Sequence, residues 1–238
     1  MLSDILKAAE NPVLKVFMKT KILLILSLFV TSLSFAQVTP SFGVRAGILS
    51  SGIRGDAPDN LNQLLDYTNG MVVTKDHTGF FAGVNADIPV SENFSIEPGL
   101  YYSQKGYEIN GHVDVKGAEF LGINAKAVLQ TQYIDVPLLL KGNFGGLQVF
   151  AGPQLSYLSQ ANLKTSAGVL GFNILNKTLD ATEQLNRWDA AITGGIGYQF
   201  DNGVNIMASY DYGLMKADAS KNMNAYNRVI KLGVGIRF

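Results

Sequence analysis

The sequence predicts an all-β chain forming an eight-stranded antiparallel transmembrane β-barrel. Three observations lead there. Eight segments alternate apolar and other residues with the period-2 signature of strands, each about the length that a tilted strand needs to cross a bilayer. Their connections alternate strictly between short and long, and aromatic residues gather near the strand ends. Composition agrees: only 16% of residues are charged, Gly numbers 25 and aromatics make up 10%. That mix suits close strand contacts and turns better than helices.

In chain order, the first strand is expected over 41–51, with Phe42, Val44, Ala46 and Ile48 on one face and Arg45 with Gly43, Gly47 and Leu49 on the other. The second, 78–88, opposes Phe80, Ala82, Val84 and Ile88 to Phe81, Asn85 and Asp87. Pro89 to Asn93 makes a tight turn, because Pro cannot extend a central strand. The third, 94–102, carries Ile96, Leu100 and Tyr102 outward and Glu97, Gly99 and Tyr101 inward. The fourth, 132–141, turns Ile134, Val136, Leu138 and Leu140 out and Asp135 and Lys141 in, and a turn at 142–146 leads to the fifth, 147–159. The sixth, 188–200, holds Trp188, Ile192 and Ile196 opposite Asp189 and Thr193. Asp201-Asn202-Gly203 closes a hairpin, since Asn-Gly tolerates positive φ. The seventh, 204–214, sets Ile206, Tyr210 and Tyr212 against Asp211, and the eighth is 228–238, with Lys231 and Arg237 inward. The connections at 52–77, 104–131, 160–187 and 215–227 are read as loops.

The inward set places the cations Arg45, Lys141, Lys231 and Arg237 in one enclosed space with the anions Asp87, Glu97, Asp135, Asp189 and Asp211. Charges removed from bulk water are costly unless paired, so this near balance is expected to form a lumen network in which Glu97 pairs with a cation such as Arg45, Lys141 or Arg237. The inward glycines, among them Gly99, Gly195, Gly233 and Gly235, are expected to leave room for the long charged side chains.

The N-terminus supplies a compartment. Met18-Lys19-Thr20-Lys21, an apolar run from Ile22 to Val30 and Ser34-Phe35-Ala36 before Gln37 form a secretory signal peptide. The expected organisation is an over-extended start or leader at 1–17, the signal peptide at 18–36 and a barrel domain at 37–238. The short turns and both ends of the barrel would then lie in the periplasm and the long loops outside the cell, in the outer membrane of a Gram-negative type of envelope. The whole chain has 19 Lys+Arg and 19 Asp+Glu; removing the four basic and two acidic residues before Gln37 leaves a net charge of −2. Such a chain lacks the clustered cations that nucleic acid requires. With no Cys, a disulfide framework or thiolate metal site is excluded.

Motif chemistry is sparse. The sequence contains no phosphate-binding loop or dinucleotide fingerprint, and its two His, His77 and His112, fall in expected loops. Asp76, His77 and the serines Ser50 and Ser51 could suggest a lipid A-modifying hydrolase, but sequence neighbours rarely build a relay aimed by a separate group. Neither an enzyme activity nor a cofactor or metal is expected. Asp56, Asp59 and Asp66 read as a solvated acidic loop. Asn110-Gly111 suggests a hairpin or extra strand length. Val169, Leu170, Phe172, Ile174 and Leu175 are too apolar for a free linker and are expected to pack on the other loops.

The segment Tyr133 to Lys141 with its following Gly turn, the Ala151-Gly152-Pro153 step and the Gly-x-Gly-x-x-Phe of Gly233 to Phe238 resemble the PorT-like outer-membrane β-barrel family, related in architecture to the OmpX and OmpA barrels. The final strand, ending on outward Phe238, resembles the assembly signal read by the barrel assembly machinery. The resemblance implies outer-membrane lipid and lipopolysaccharide as surroundings. The expected function is a filled, non-conducting barrel that acts in structure, adhesion or docking through its loops. The PorT likeness adds an accessory role in protein secretion as an alternative, porin-type names add a narrow pore, and His77 adds the lipid A enzyme.

Overall fold

The computed structural model describes residues 39–55, 72–113, 123–169, 172–217 and 224–238. The expected leader and signal peptide therefore lie outside the described residues, as do Asp56, Asp59, Asp66 and Leu170. Pro40 to Phe238 form one compact unit. Its described strands are β1 (Ser41–Arg54), β2 (Val72–Pro89), β3 (Phe94–Val113), β4 (Ile123–Phe144), β5 (Leu147–Val169), β6 (Phe172–Asp180), β7 (Trp188–Gln199), β8 (Val204–Lys216) and β9 (Tyr226–Arg237).

All pairings are antiparallel, and eight of these strands close a ring. Neighbours in sequence pair from β1 to β5, β5 pairs β7, and β7, β8 and β9 follow. Closure joins β9 to β1 in the register Gly43↔Arg237 to Arg54↔Tyr226. Phe42 and Phe238 exchange backbone hydrogen bonds of 3.1 and 2.9 Å, so the two ends of the ring's chain meet at the turn end. The ring has no free edge along its membrane-length portion, the condition under which strands can sit in hydrocarbon with every backbone group satisfied.

The alternation decides which face looks where. Ile48, Val84, Leu138, Ile196 and Val234 are about half exposed on the outer wall, while their sequence neighbours point inward and are buried or half-buried. Two belts of ring pairs bound this apolar wall. Phe94 with Phe144 and Tyr198 with Phe200, at centroid separations of 6.2 and 4.9 Å, mark the turn end. Phe80 with Tyr102 and Tyr157 with Trp188, at 5.8 and 5.0 Å, mark the loop end. The span from Leu147 to Tyr157 on β5 covers about 26 Å along the barrel axis at a tilt of about 40°, close to a bilayer's hydrocarbon band.

At the turn end, β4 and β5 are joined by Gly145 and Gly146 alone, with φ of 59° and 91°. Two consecutive positive-φ residues make the tight hairpin whose twist matches the strands, and Gly adopts it without steric cost. The turn is shorter than the expected 142–146, since Gly142, Asn143 and Phe144 remain paired in β4.

The largest departure from the sequence reading is at the other end. Residues 104–113 continue β3, and 123–131 continue β4, so the expected second loop is mostly strand. Asn110-Gly111 is extra strand length and turns nothing. The expected third loop is a β-hairpin, in which the continuation of β5 pairs with β6 from Asn162↔Asp180 to Val169↔Phe172. β2 also starts earlier than expected, with His77 and Asp76 within it. On β5 a register shift opposite Gln132 and Tyr133 places both Leu158 and Ala161 inward, both fully buried.

Inward Gly233 makes room for an aromatic ring, not a charge: a Cβ there would lie 2.7 Å from the Phe81 ring tip and 3.3 Å from the Met207 sulfur. Gly233→Ala should therefore destabilise the barrel by about 1–3 kcal/mol through overpacking. Adding Phe81→Leu should recover part of that loss, measured as a less-than-additive change in urea midpoint. Strict additivity would contradict the contact.

Candidate functional site

The lumen holds a ladder of ion pairs running along the barrel axis. Near the turn end, Lys141 Nζ on β4 donates to Asp87 Oδ2 on β2 and to Glu97 Oε2 on β3, each at 2.7 Å. Arg45 on β1 donates to both Glu97 oxygens, at 2.8 and 3.4 Å, and to the Tyr101 hydroxyl at 3.2 Å. Glu97 is thus held between two cations, all three buried. Arg45 also reaches Asn205 on β8, at 3.4 Å, bracing the ring across its interior.

Higher up, Asp135 on β4 is wholly buried and accepts from Lys105 Nζ at 2.9 Å and from the Ser103 hydroxyl at 2.6 Å. Lys231 on β9 stands 2.7 Å from Asp211 Oδ2 and 3.6 Å from Asp135 Oδ2, and it donates to Gln154 Oε1 at 3.3 Å. Asp211 takes further bonds from Thr193 at 2.9 Å and Gln154 at 3.2 Å. Multiple donors are what make a buried carboxylate tolerable, since one unpaired ion in a low-dielectric interior costs several kcal/mol.

Two members of the expected set are arranged differently. Arg237 lies at the rim with its side chain 41% exposed, 3.6 Å from Asp87, so it is not a buried lumen cation. The backbone places it on the last inward position before the chain leaves the ring, where water reaches it. Asp189 meets the Asn227 amide at 2.7 Å and forms no ion pair among the described residues, and its Oδ1, like Asp87 Oδ1, is buried there without a hydrogen-bond partner.

Lys105 was not anticipated. It sits on the inward parity of Glu97, Tyr101 and Ser103, and extending that alternation past Tyr102 would have found it. The uncharged partners Ser103, Gln154, Thr193, Asn205 and Asn227 carried no signal of their own.

Apolar groups close the ladder off. Leu49, Phe81, Tyr101 and Val229 cluster against one side of the lumen, with Met207 against them. Toward the loop end, Tyr133, Leu158 and Ala161 form a second buried cluster, onto which Ala181 and Leu185 fold from the β6–β7 connection. A short 3-10 turn, Thr182–Gln184, holds that connection down: the Thr182 hydroxyl accepts from Ala161 N at 3.0 Å, and Ala181 N donates to Ala161 O at 2.9 Å.

The residues considered for hydrolysis do not form a relay. The Ser51 hydroxyl accepts from Gly106 N at 2.7 Å and donates to the carbonyls of Gly106 and His77. Asp76 is engaged by Arg228 at 2.7 Å. Burial lowers the His77 pKa, and the nearby Lys126 and Lys164 lower it further against the opposing pull of Glu108. On the same outer stretch of wall, the Lys126 ammonium holds the Glu108 carboxyl below its ordinary value at a separation of 2.7 Å.

A closed antiparallel ring with an apolar outer band and an ionic interior reverses the polarity of a soluble barrel and defines a membrane-spanning one. The family model described as outer membrane protein beta-barrel domain matches residues 35–219, and the chain belongs to that family. Among solved structures it is similar to Neisserial surface protein A, at 12% identity over 84% of this chain and 99% of that one, with a TM-score of 0.39. It is also similar to Ail, the attachment invasion locus protein of Yersinia pestis, at 14% identity over 83% and 98%, with a TM-score of 0.41. OprG of Pseudomonas aeruginosa is a third, at 13% identity over 84% and 97%, with a TM-score of 0.37. No curated protein matches the sequence.

Glu97→Gln should lower stability by about 3–5 kcal/mol, because Arg45 and Lys141 would both lose their shared anion. Arg237→Gln, at an exposed rim pair, should cost less than about 1 kcal/mol. Urea unfolding of the refolded barrel checks both; equal effects would contradict the assignment of Glu97 as the buried hub.

Proposed function

We propose that the chain is an integral outer-membrane barrel with a plugged, non-conducting lumen, serving as a structural or surface-interaction protein through the part that rises beyond the loop-end aromatic belt. The observation carrying this reading is the lumen itself. Its buried cations are bound by internal carboxylates, and Tyr133, Leu158 and Leu185 cover the ladder on the loop side. Eight strands enclose a space that side chains can fill, and here both ionic and aromatic groups fill it.

In this reading the outer wall faces outer-membrane lipid and lipopolysaccharide, the turn end faces the periplasm, and Phe238 is the residue read by the barrel assembly machinery during insertion. The segments that resemble PorT-like barrels, including Tyr133 to Lys141, belong to wall and turn. They support a shared architecture and leave the accessory role in secretion as an alternative. A narrow pore would require the Glu97 and Asp135 clusters to part. A lipid A enzyme would require Ser51, His77 and Asp76 to leave their present partners.

Pure protein in a planar bilayer should give no stepwise currents, and reproducible unitary steps would contradict the plugged lumen. A strain lacking the gene should keep its lipid A mass spectrum and secreted proteins while losing surface binding. Loss of the secreted proteins would instead favour the accessory role.

A further inference from the structure

Among the described residues, the wall above the loop-end belt is no longer a closed ring. β7 begins at Trp188, β8 ends at Lys216, β9 begins at Tyr226 and β1 ends at Arg54, whereas β3, β4 and β5 continue to Val113, Ile123 and Val169. With β2 on one flank and β6 on the other, they form a five-stranded sheet standing on the ring, and β6 is its terminal strand. β6 pairs β5 over Phe172–Asp180, and no described strand pairs its other side.

A terminal strand presents a row of unpaired N–H and C=O groups, and proteins commonly blunt such edges with Pro, repeated charges, bulges or cover. β6 contains no Pro; its pairing with β5 shifts register between Ala167 and Gly168, and below that shift, from Leu175 to Asp180, it is regular, with Lys177 and Asp180 its charged residues. Its last four residues, Lys177 to Asp180, are exposed, including Leu179 at 44%. At its lower end lies a polar hollow of about 560 Å³ lined by residues that include Ser159, Gln160, Asp180, Glu183 and Arg187.

We infer that the edge of β6 that no described strand pairs takes up an extended segment of another polypeptide as an additional antiparallel strand. Main-chain hydrogen bonds would supply the affinity. Lys177 and Leu179 share one face of β6 by strand alternation, so the segment fits best with an acidic residue beside the first and an apolar one beside the second. The hollow would receive a polar side chain at the segment's end. A second copy in the same membrane is a poor occupant. Copies inserted in the same sense are related by an axis normal to the membrane, and strands tilted by about 40° would then cross at about 80°, too far apart in direction to pair. A segment from outside the membrane has no such constraint. The inference rests on the proposed surface role, because it requires the loop end to face a compartment that holds partners.

The test uses the full chain in lipid nanodiscs and a synthetic peptide of about nine residues alternating Thr and Val, with one Glu placed for Lys177. Amide hydrogen exchange should slow about tenfold or more at alternate β6 residues when the peptide is added. N-methylating the peptide on its pairing side should abolish the effect, while N-methylating the opposite side should preserve it. Equal binding by both methylated forms, no slowing at millimolar peptide, or β6 outer-edge amides already protected without peptide would each overturn the inference. Planar-bilayer currents from the same preparation keep the two readings apart: a silent barrel that fails to protect β6 refutes the edge site alone.

Discussion

Closing eight strands into a ring leaves an interior only as wide as the side chains that fill it, and this constraint governs the rest of the molecule. A charged group turned inward is held by a counter-charge or, as Asp189 is by the Asn227 amide, by a polar partner. Glu97 is held between Arg45 and Lys141, and Asp135 between Lys105 and Lys231. Several of these contacts join strands that are not neighbours in the wall. Arg45 on β1 reaches β3 and β8, Lys141 on β4 reaches β2, and Gln154 on β5 reaches Asp211 on β8. Ladder hydrogen bonds hold each strand to the next, and the lumen groups tie the ring across its diameter.

In the proposed reading the same filling closes the lumen, and the part that the ring carries comes to the fore. The sheet built from β2 to β6 is the feature by which this barrel departs from a plain cylinder. Its strands continue past the aromatic belt with polar residues on both faces, as a segment in water permits. Where the wall is open, backbone groups that hydrocarbon would never tolerate can remain exposed.

Legibility in the sequence followed the membrane. Between the belts one face must be apolar, so alternation revealed all eight ring strands, their short turns and the inward parity of Arg45, Glu97, Asp135 and Lys231. Beyond the belts that pressure ends. Segments such as Lys105 to Asn110 and Asn162 to Gly168 carry polar residues on both parities, and they read as loops although their backbones remain paired. Lys105 was missed with the strand extension that carries it. The pairing itself, Glu97 with Arg45 and Lys141 in place of exposed Arg237, depends on register, which no local pattern encodes. The inward parity that alternation assigned to Gly233 is now explained by the reach of the Phe81 ring from β2.

The central claim, that ion pairs in the lumen are what the ring is built around, is tested most directly by a double-mutant cycle on Lys231 and Asp211, which stand 2.7 Å apart. Lys231→Met and Asp211→Leu should each destabilise the refolded barrel by about 3–5 kcal/mol, since the first leaves Asp211 buried without its cation and the second leaves Lys231 only the longer 3.6 Å contact with Asp135. The double variant should cost less than either sum predicts, by about 2 kcal/mol or more, because no charge is then stranded. Additive effects, or single variants that leave the urea midpoint unchanged, would contradict the account.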